Sequence, residues 1–225
     1  MNKLLFLSML FTVALCSAQT TINKVLQDFS TLKVYNGIDL ELIKSEDQRI
    51  EITGEKTDKV VIKEEDKTLK VYLRFPETVA EGKVKATLYF NKNIDVIDAN
   101  EGATLTGKNI DQTSLEVKAQ EGAFINLVVA TKHLYVKSTS GGVIKLSGTT
   151  QNQDVSVDLG GAYHGYKLKT SHVSTVKAGS GAKAEVSVGE TLDARVTFGG
   201  TIFYKGTPEV LKDKKIIGGT IEQRN

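Results

Sequence analysis

The chain has 225 residues with 29 Lys and Arg against 27 Asp and Glu, a formal net charge of +2, one cysteine, two prolines and no tryptophan. So balanced a charge argues against nucleic acid as the main partner, because a phosphate-binding surface shows as a basic excess. A lone cysteine excludes a disulfide framework and a cysteine metal site, and Pro76 and Pro208 alone do not make a proline-rich stalk.

The N-terminus has the form of a secretory signal. Lys3 supplies a positive start, Leu4 to Leu15 an apolar run broken only by Ser8 and Thr12, and Cys16-Ser17-Ala18 a small-residue cleavage site before Gln19. A transmembrane helix needs about 20 apolar residues. The run is shorter than that, and no later stretch qualifies as a span of the mature chain. The alternative is lipoprotein anchoring at Cys16, for which Leu15 is an ill-suited predecessor. Cleavage after Ala18 removes Lys3 and leaves 28 basic against 27 acidic residues, a net charge of +1. The organisation predicted is a signal peptide at 1–18, an N-terminal segment at 19–28, an N-terminal β region at 29–99 and a glycine-punctuated solenoid at 100–221. The location expected is exported: periplasm, outer-membrane surface or secreted.

Residues 29–97 read as strands. Leu32 and Val34, then Ile38, Leu40 and Leu42, alternate with polar neighbours around the turn signal Asn36-Gly37. Arg49 to Thr53, Val60 to Lys63, Leu69 to Phe75, Val84 to Phe90 and Ile94 to Ile97 follow, with Glu64 to Lys67 as a hairpin loop. Period-two alternation buries one face and wets the other, which suits partly antiparallel strands on a core.

From residue 100 the texture changes. Small pairs recur at Gly102-Ala103, Gly122-Ala123, Gly141-Gly142, Gly160-Gly161, Gly181-Ala182, Gly199-Gly200 and Gly218-Gly219, with spacings of 20, 19, 19, 21, 18 and 19. A fixed period in this range marks a solenoid. Two short alternating segments and two bends fill each period and leave no room for a helix, which excludes a leucine-rich repeat. The fold predicted is all-β: a right-handed parallel β-helix-like solenoid of about 19–20 residues per coil. The glycines allow the backbone to turn between faces, since they reach positive φ without strain. The register slips at Gly160 to Gly165, where a bulge is expected.

The segments Phe29-x-x-Leu32-x-Val34-x-x-Gly37-Ile38-Asp39-Leu40-Glu41-Leu42, Ile50-Glu51-Ile52, Leu69-Lys70-Val71 and Ile94-Asp95-Val96-Ile97-Asp98-Ala99-x-Glu101-Gly102-Ala103 resemble, in this order, the head GIN domain family, labelled "putative auto-transporter adhesin". The resemblance covers residues 25 to 221. It implies a β-solenoid at the envelope or cell surface and brings no catalytic residues to carry over.

Two sets of side chains are candidates for ligand binding. Lys118, Lys137, Lys177 and Arg195 each stand four residues before the first glycine of a pair, as does Lys214, and stacked coils would align them as a basic column. Glu116, Asp158 and Asp193 are acidic neighbours that would make it an ordinary solvated face. Tyr163, His164 and Tyr166 form an aromatic cluster suited either to stacking on a sugar or to filling a wider coil. No histidines are spaced as metal ligands, no clustered carboxylates suggest glycoside cleavage, and the calcium-binding nonapeptide is absent. The function expected is therefore non-enzymatic and without cofactor: a glycan-binding or adhesin-like module. The alternatives are a self-associating structural envelope protein and a carbohydrate-active enzyme.

Overall fold

The computed structural model describes residues 21–225. The signal sequence, its cleavage site and Cys16 lie outside the described residues. In chain order the strands are β1 (Ile22–Val25), β2 (Thr31–Val34), β3 (Asp39–Lys44), β4 (Arg49–Gly54), β5 (Val60–Glu65), β6 (Thr68–Leu73), β7 (Val84–Phe90) and β8 (Val96–Ala99). Four long strands follow, each running through a wide bend: β9 (Thr104–Ala119), β10 (Phe124–Ser138), β11 (Val143–Val157) and β12 (Ala162–Ala178). The last are β13 (Lys183–Ser187), β14 (Thr191–Thr197), β15 (Thr201–Lys205), β16 (Val210–Ile216) and β17 (Thr220–Gln223).

These strands wind into a β-solenoid with two sheets and one hydrophobic core between them. The first sheet runs through β5, β6, β2, β8 and the C-terminal halves of β9, β10, β11 and β12, then β14 and β16. The second runs through β1, β4, β7, β3 and the N-terminal halves of β9 to β12, then β13, β15 and β17. Stack order departs from chain order at the N-terminal end. The β2–β3 coil sits between the β6–β7 coil and the coil made by β8 and the start of β9. Antiparallel pairing is confined to the β1–β4, β4–β7 and β5–β6 pairs, at this end of the stack.

The sharp edge of the solenoid is a column of two-residue turns. In each, both the residue before the first glycine and that glycine have positive φ, from Asn36 and Gly37 (59° and 67°) to Phe198 and Gly199 (48° and 78°). This is the type I′ geometry, which matches the twist of the strands it joins. The turns hydrogen-bond to one another up the stack: the Gly37, Gly102, Gly122 and Gly141 amides donate to the carbonyls of Glu101, Glu121, Ser140 and Leu159 at 2.8–3.1 Å. The second member of each pair is small for a different reason. From Ala103 to Gly200 it is buried under the preceding coil, and a Cβ on Gly142 would lie 2.2 Å from the Ala119 carbonyl oxygen; Gly219, in the last turn, is exposed.

Inside, like side chains stack in columns. One runs Leu40, Leu105, Ile125, Ile144, Tyr163, Ala184, Ile202. Tyr163 is the large member and is fully buried. Two neighbours make room for it: Ala184 above, and Gly165, where a Cβ would fall 2.6 Å from the tyrosine ring. Its hydroxyl donates to Gln153 Oε1 (3.2 Å), whose amide donates to Thr170 Oγ1 (2.6 Å) and Ser174 Oγ (3.1 Å). A buried polar group without a partner would cost about 1–3 kcal/mol, and none is left unpartnered among the described residues. The expected bulge is present: β12 carries one extra residue between His164 and Lys167 opposite Lys145 and Ser147.

Gly165→Ala is expected to destabilise by about 1–3 kcal/mol through overpacking. That cost should shrink in a Tyr163→Leu background, measured as a double-mutant cycle by urea unfolding; additive effects would show that the ring is not the obstacle. At the turn column, Phe198→Asn should raise stability by up to about 1 kcal/mol, because asparagine tolerates the left-handed conformation that costs other residues about 1–2 kcal/mol. An unchanged or lower unfolding midpoint would mean that the turn holds no such strain.

Candidate functional site

The register aligns the predicted basic residues. Lys118 pairs with Lys137, Lys137 with Ser156, Ser156 with Lys177, Lys177 with Arg195, and Arg195 with Lys214. The column continues past them. Asp98 pairs with Lys118, Lys33 with Asp98, Lys70 with Lys33, and Lys63 with Lys70. Ten consecutive strands of the first sheet thus present Lys63, Lys70, Lys33, Asp98, Lys118, Lys137, Ser156, Lys177, Arg195 and Lys214 in one outward line. At about 4.8 Å per strand the line is roughly 43 Å long.

Sequence periodicity finds Lys118 to Lys214 and misses Lys33, Lys63 and Lys70. A signal for Lys33 was present: it stands four residues before Gly37, the same offset as the others. Lys63 and Lys70 carry no such mark, because their hairpin joins the column through an antiparallel pair.

Two breaks relieve the like-charge repulsion. Ser156 is neutral. Asp98 is buried, accepts hydrogen bonds from Asn100 (3.0 Å) and Gln120 (3.3 Å), and has Lys33 Nζ at 3.8 Å. Of the acidic neighbours, Glu116 and Asp193 lie in the adjacent column, which runs Glu116, Tyr135, Asp154, Thr175, Asp193, whereas Asp158 sits at the turn and accepts from the Leu159 amide (2.8 Å). Of the four residues predicted first, Lys118 has a carboxylate within ion-pair distance among the described residues (Glu116, 2.9 Å), and Lys137, Lys177 and Arg195 have none. These last three are exposed.

The aromatic cluster divides. Tyr163 points into the core, and burial pushes its hydroxyl well above the ordinary tyrosine range. His164 and Tyr166 point outward on the second sheet, so the structure does not bring them to the basic column. They border a cleft of about 670 Å³ with Phe124, Lys145 and Glu185. His164 Nδ1 lies 2.8 Å from Glu185 Oε2, Lys183 Nζ lies 2.6 Å from Oε1, and Lys205 sits 4.9 Å over the Tyr166 ring. Burial pushes the Glu185 carboxyl up, but hydrogen bonds from Lys183 and His164 outweigh it and hold the group below its ordinary value.

The family model for "Putative auto-transporter adhesin, head GIN domain" matches residues 28–208. The chain belongs to this family. Solved structures extend the likeness to the whole fold. A "putative adhesin" from Bacteroides fragilis is 19% identical over 92% of this chain and 98% of its own, with a TM-score of 0.84. A "putative lipid binding protein" from Parabacteroides distasonis is 16% identical over 93% and 98%, with a TM-score of 0.70. A "putative adhesin" from Parabacteroides merdae is 18% identical over the same shares, with a TM-score of 0.69. No curated protein matches the chain.

The head GIN match covers every cation of the column except Lys214, on β16. Among the described residues no three His, Cys, Asp or Glu side chains are grouped to hold a metal ion, and no helix is long and apolar enough to cross a membrane.

The Glu185 cluster yields a pH prediction. A carboxyl held low in the folded state stabilises fully above its ordinary value, and the contribution is lost as pH falls through the lower folded value. Glu185→Gln is expected to cost about 0.5–1 kcal/mol at neutral pH, with the difference from wild type closing below about pH 4. Thermal unfolding across that range checks it; a gap independent of pH would assign the loss to packing.

Proposed function

We propose that this head GIN domain protein is exported through its N-terminal signal, cleaved after Ala18, and acts in the envelope or at the surface as a non-enzymatic binding module for an extended anionic glycan. The observation that supports this reading is the basic column: Lys63, Lys70, Lys33, Lys118, Lys137, Lys177, Arg195 and Lys214 in one line. Like charges directly opposed across strands are destabilising. The fold nonetheless stacks Lys177, Arg195 and Lys214 on three successive strands. A polyanion laid along the line relieves that repulsion, and the regular strand spacing suits a polymer with repeating charge better than a small ligand.

Lys137, Lys177 and Arg195 are the central contacts in this reading, with Lys118 shared with Glu116. Tyr135, in the adjacent column and 48% exposed, offers a ring beside Lys137. His164 and Tyr166 lie on the other sheet and are not contacts for this ligand.

The experiment is binding of polygalacturonate, with neutral dextran as control, at low and high salt. Wild type is expected to bind the polyanion, not dextran, and to weaken as salt screens the charges. The triple variant Lys137→Glu, Lys177→Glu, Arg195→Glu should bind roughly tenfold or more weakly, at 0.2–1 kcal/mol or so per exposed charge contact. Equal binding by the triple variant, or equal retention of dextran, would sink the proposal.

A further inference from the structure

The basic column ends, at the capped end of the stack, in a groove of about 440 Å³. Its floor is aromatic. Tyr35 donates its amide to Val71 (3.1 Å) and so lies in the row beside Tyr72, with the two outward rings about one strand spacing apart. Phe75 lines the same groove and is 86% exposed, more than any other large apolar side chain described. Lys63 and Lys70, the first two cations of the column, form one wall, and Glu101 lies on the other side.

The loop that carries Phe75 is tied down at several points. Asn36 Oδ1 accepts from the Leu73 amide (2.9 Å), and its Nδ2 donates to the Thr78 carbonyl (3.1 Å) and Glu101 Oε2 (2.5 Å). Lys56 Nζ bonds Glu77 Oε2 (2.9 Å) and the Val79 carbonyl (3.0 Å). The groove is therefore formed before any ligand arrives, which lowers the ordering cost of binding. Burial, then the charges of Asp98, Glu101 and Glu121, hold the Tyr35 hydroxyl above its ordinary value, so it stays a neutral donor.

We infer that this groove is a binding subsite for a single sugar ring that carries an anionic group. The apolar C–H face of the ring stacks on Tyr35, Tyr72 and Phe75, because aromatic rings offer flat apolar area with a polar tip. Its carboxylate or sulfate meets Lys70 and, shared with Glu65 at 2.6 Å, Lys63, and the Glu101 oxygen not held by Asn36 accepts from ring hydroxyls. Alternating apolar plates, cations and one acceptor is the donor set of an acidic saccharide, not of a fatty chain. The inference rests on the anionic-glycan reading for the direction of the polymer, but the subsite stands or falls by its own residues.

Titration calorimetry with tri-galacturonate, neutral galactotriose and a sulfated galactose disaccharide tests it. The trimer is too short to follow the whole column. Wild type is expected to bind tri-galacturonate or the sulfated disaccharide, and galactotriose roughly tenfold more weakly. Phe75→Ala should weaken the acidic ligands about fivefold to tenfold. Its side chain is almost fully exposed, so its melting curve should match wild type. Lys70→Gln should weaken them severalfold, and Lys132→Gln, at an exposed cation of β10 outside both the column and the groove, should leave them unchanged. Tighter binding of the sulfated ligand identifies sulfate as the anion; tighter binding of the trimer identifies carboxylate. Absence of binding by both acidic ligands, or an undiminished Phe75→Ala, overturns the subsite. In that case long polygalacturonate can still depend on Lys137, Lys177 and Arg195, so failure here is separable from failure of the column.

Discussion

The whole molecule depends on the stacking of two-residue turns at one edge. Each turn places two successive residues at positive φ, and the Gly37, Gly102, Gly122, Gly141 and Gly160 amides each pass a hydrogen bond to the turn of the adjacent coil. That chain of bonds holds these coils in register. Register in turn decides which side chains share a column, inside and outside, since a one-residue slip would exchange the two faces. The hydrophobic columns and the basic column are thus two consequences of one geometric constraint. The turns are also where the sequence accepts cost. Leu159, Phe198 and Ile217 occupy the left-handed position with 59%, 60% and 69% exposure, where glycine or asparagine would be unstrained.

The solenoid was legible because glycine is scarce in strands and its rhythm survives any choice of side chains. The spacing from Gly102 to Gly218 marks seven of the turns, and period-two alternation marks the strands between them. The stack order of the N-terminal coils was not legible. Alternation shows that β2, β3, β6 and β7 each bury one face, but it is the same for parallel and antiparallel neighbours. Nothing local to residues 31–44 says that they lie between residues 68–90 and 96–107. The same ambiguity hid the upper third of the basic column. Lys33 bears the periodic offset, but Lys63 and Lys70 enter the line only through the hairpin and its pairing. At the aromatic cluster the strand itself alternates plainly: Tyr163 faces inward and His164 and Tyr166 outward, and the bulge flips parity only after Tyr166, where Lys167 is outward as well. What the sequence left open was which of the two parities meets the core.

The column shows how a near-neutral protein can carry a strongly basic surface feature. The mature chain is expected to have nearly equal numbers of acids and bases, so net charge conceals the pattern. Stacking separates the signs into adjacent lines on one sheet, with Glu116, Asp154 and Asp193 beside the cations. Beyond the screening length of about 8 Å salt damps the field of both lines. At contact the basic line dominates, because it has a cation at eight of ten positions while the acids of the adjacent line alternate with Tyr135 and Thr175. Such a surface discriminates by spacing and direction more than by net attraction.

The two ends of the stack bear on self-association. An open solenoid end exposes a strand edge, and a flat apolar edge recruits another copy. At one end the antiparallel strands β1, β4 and β5 cover the parallel stack. At the other end the chain changes composition. Leu192, Ala194 and Val196 are core residues of β14, and their register partners on β16 are Leu211, Asp213 and Lys215. Two of the three inward positions of the last coil are therefore charged, and Lys212 and Lys214 alternate with them. A second copy stacking end to end would have to bury Asp213 and Lys215 against a core, at a cost of several kcal/mol for an ill-matched charge. The last coil stays exposed along its length. The charged inward positions of β16 and the antiparallel strands at the other end thus both oppose end-to-end stacking of a second copy.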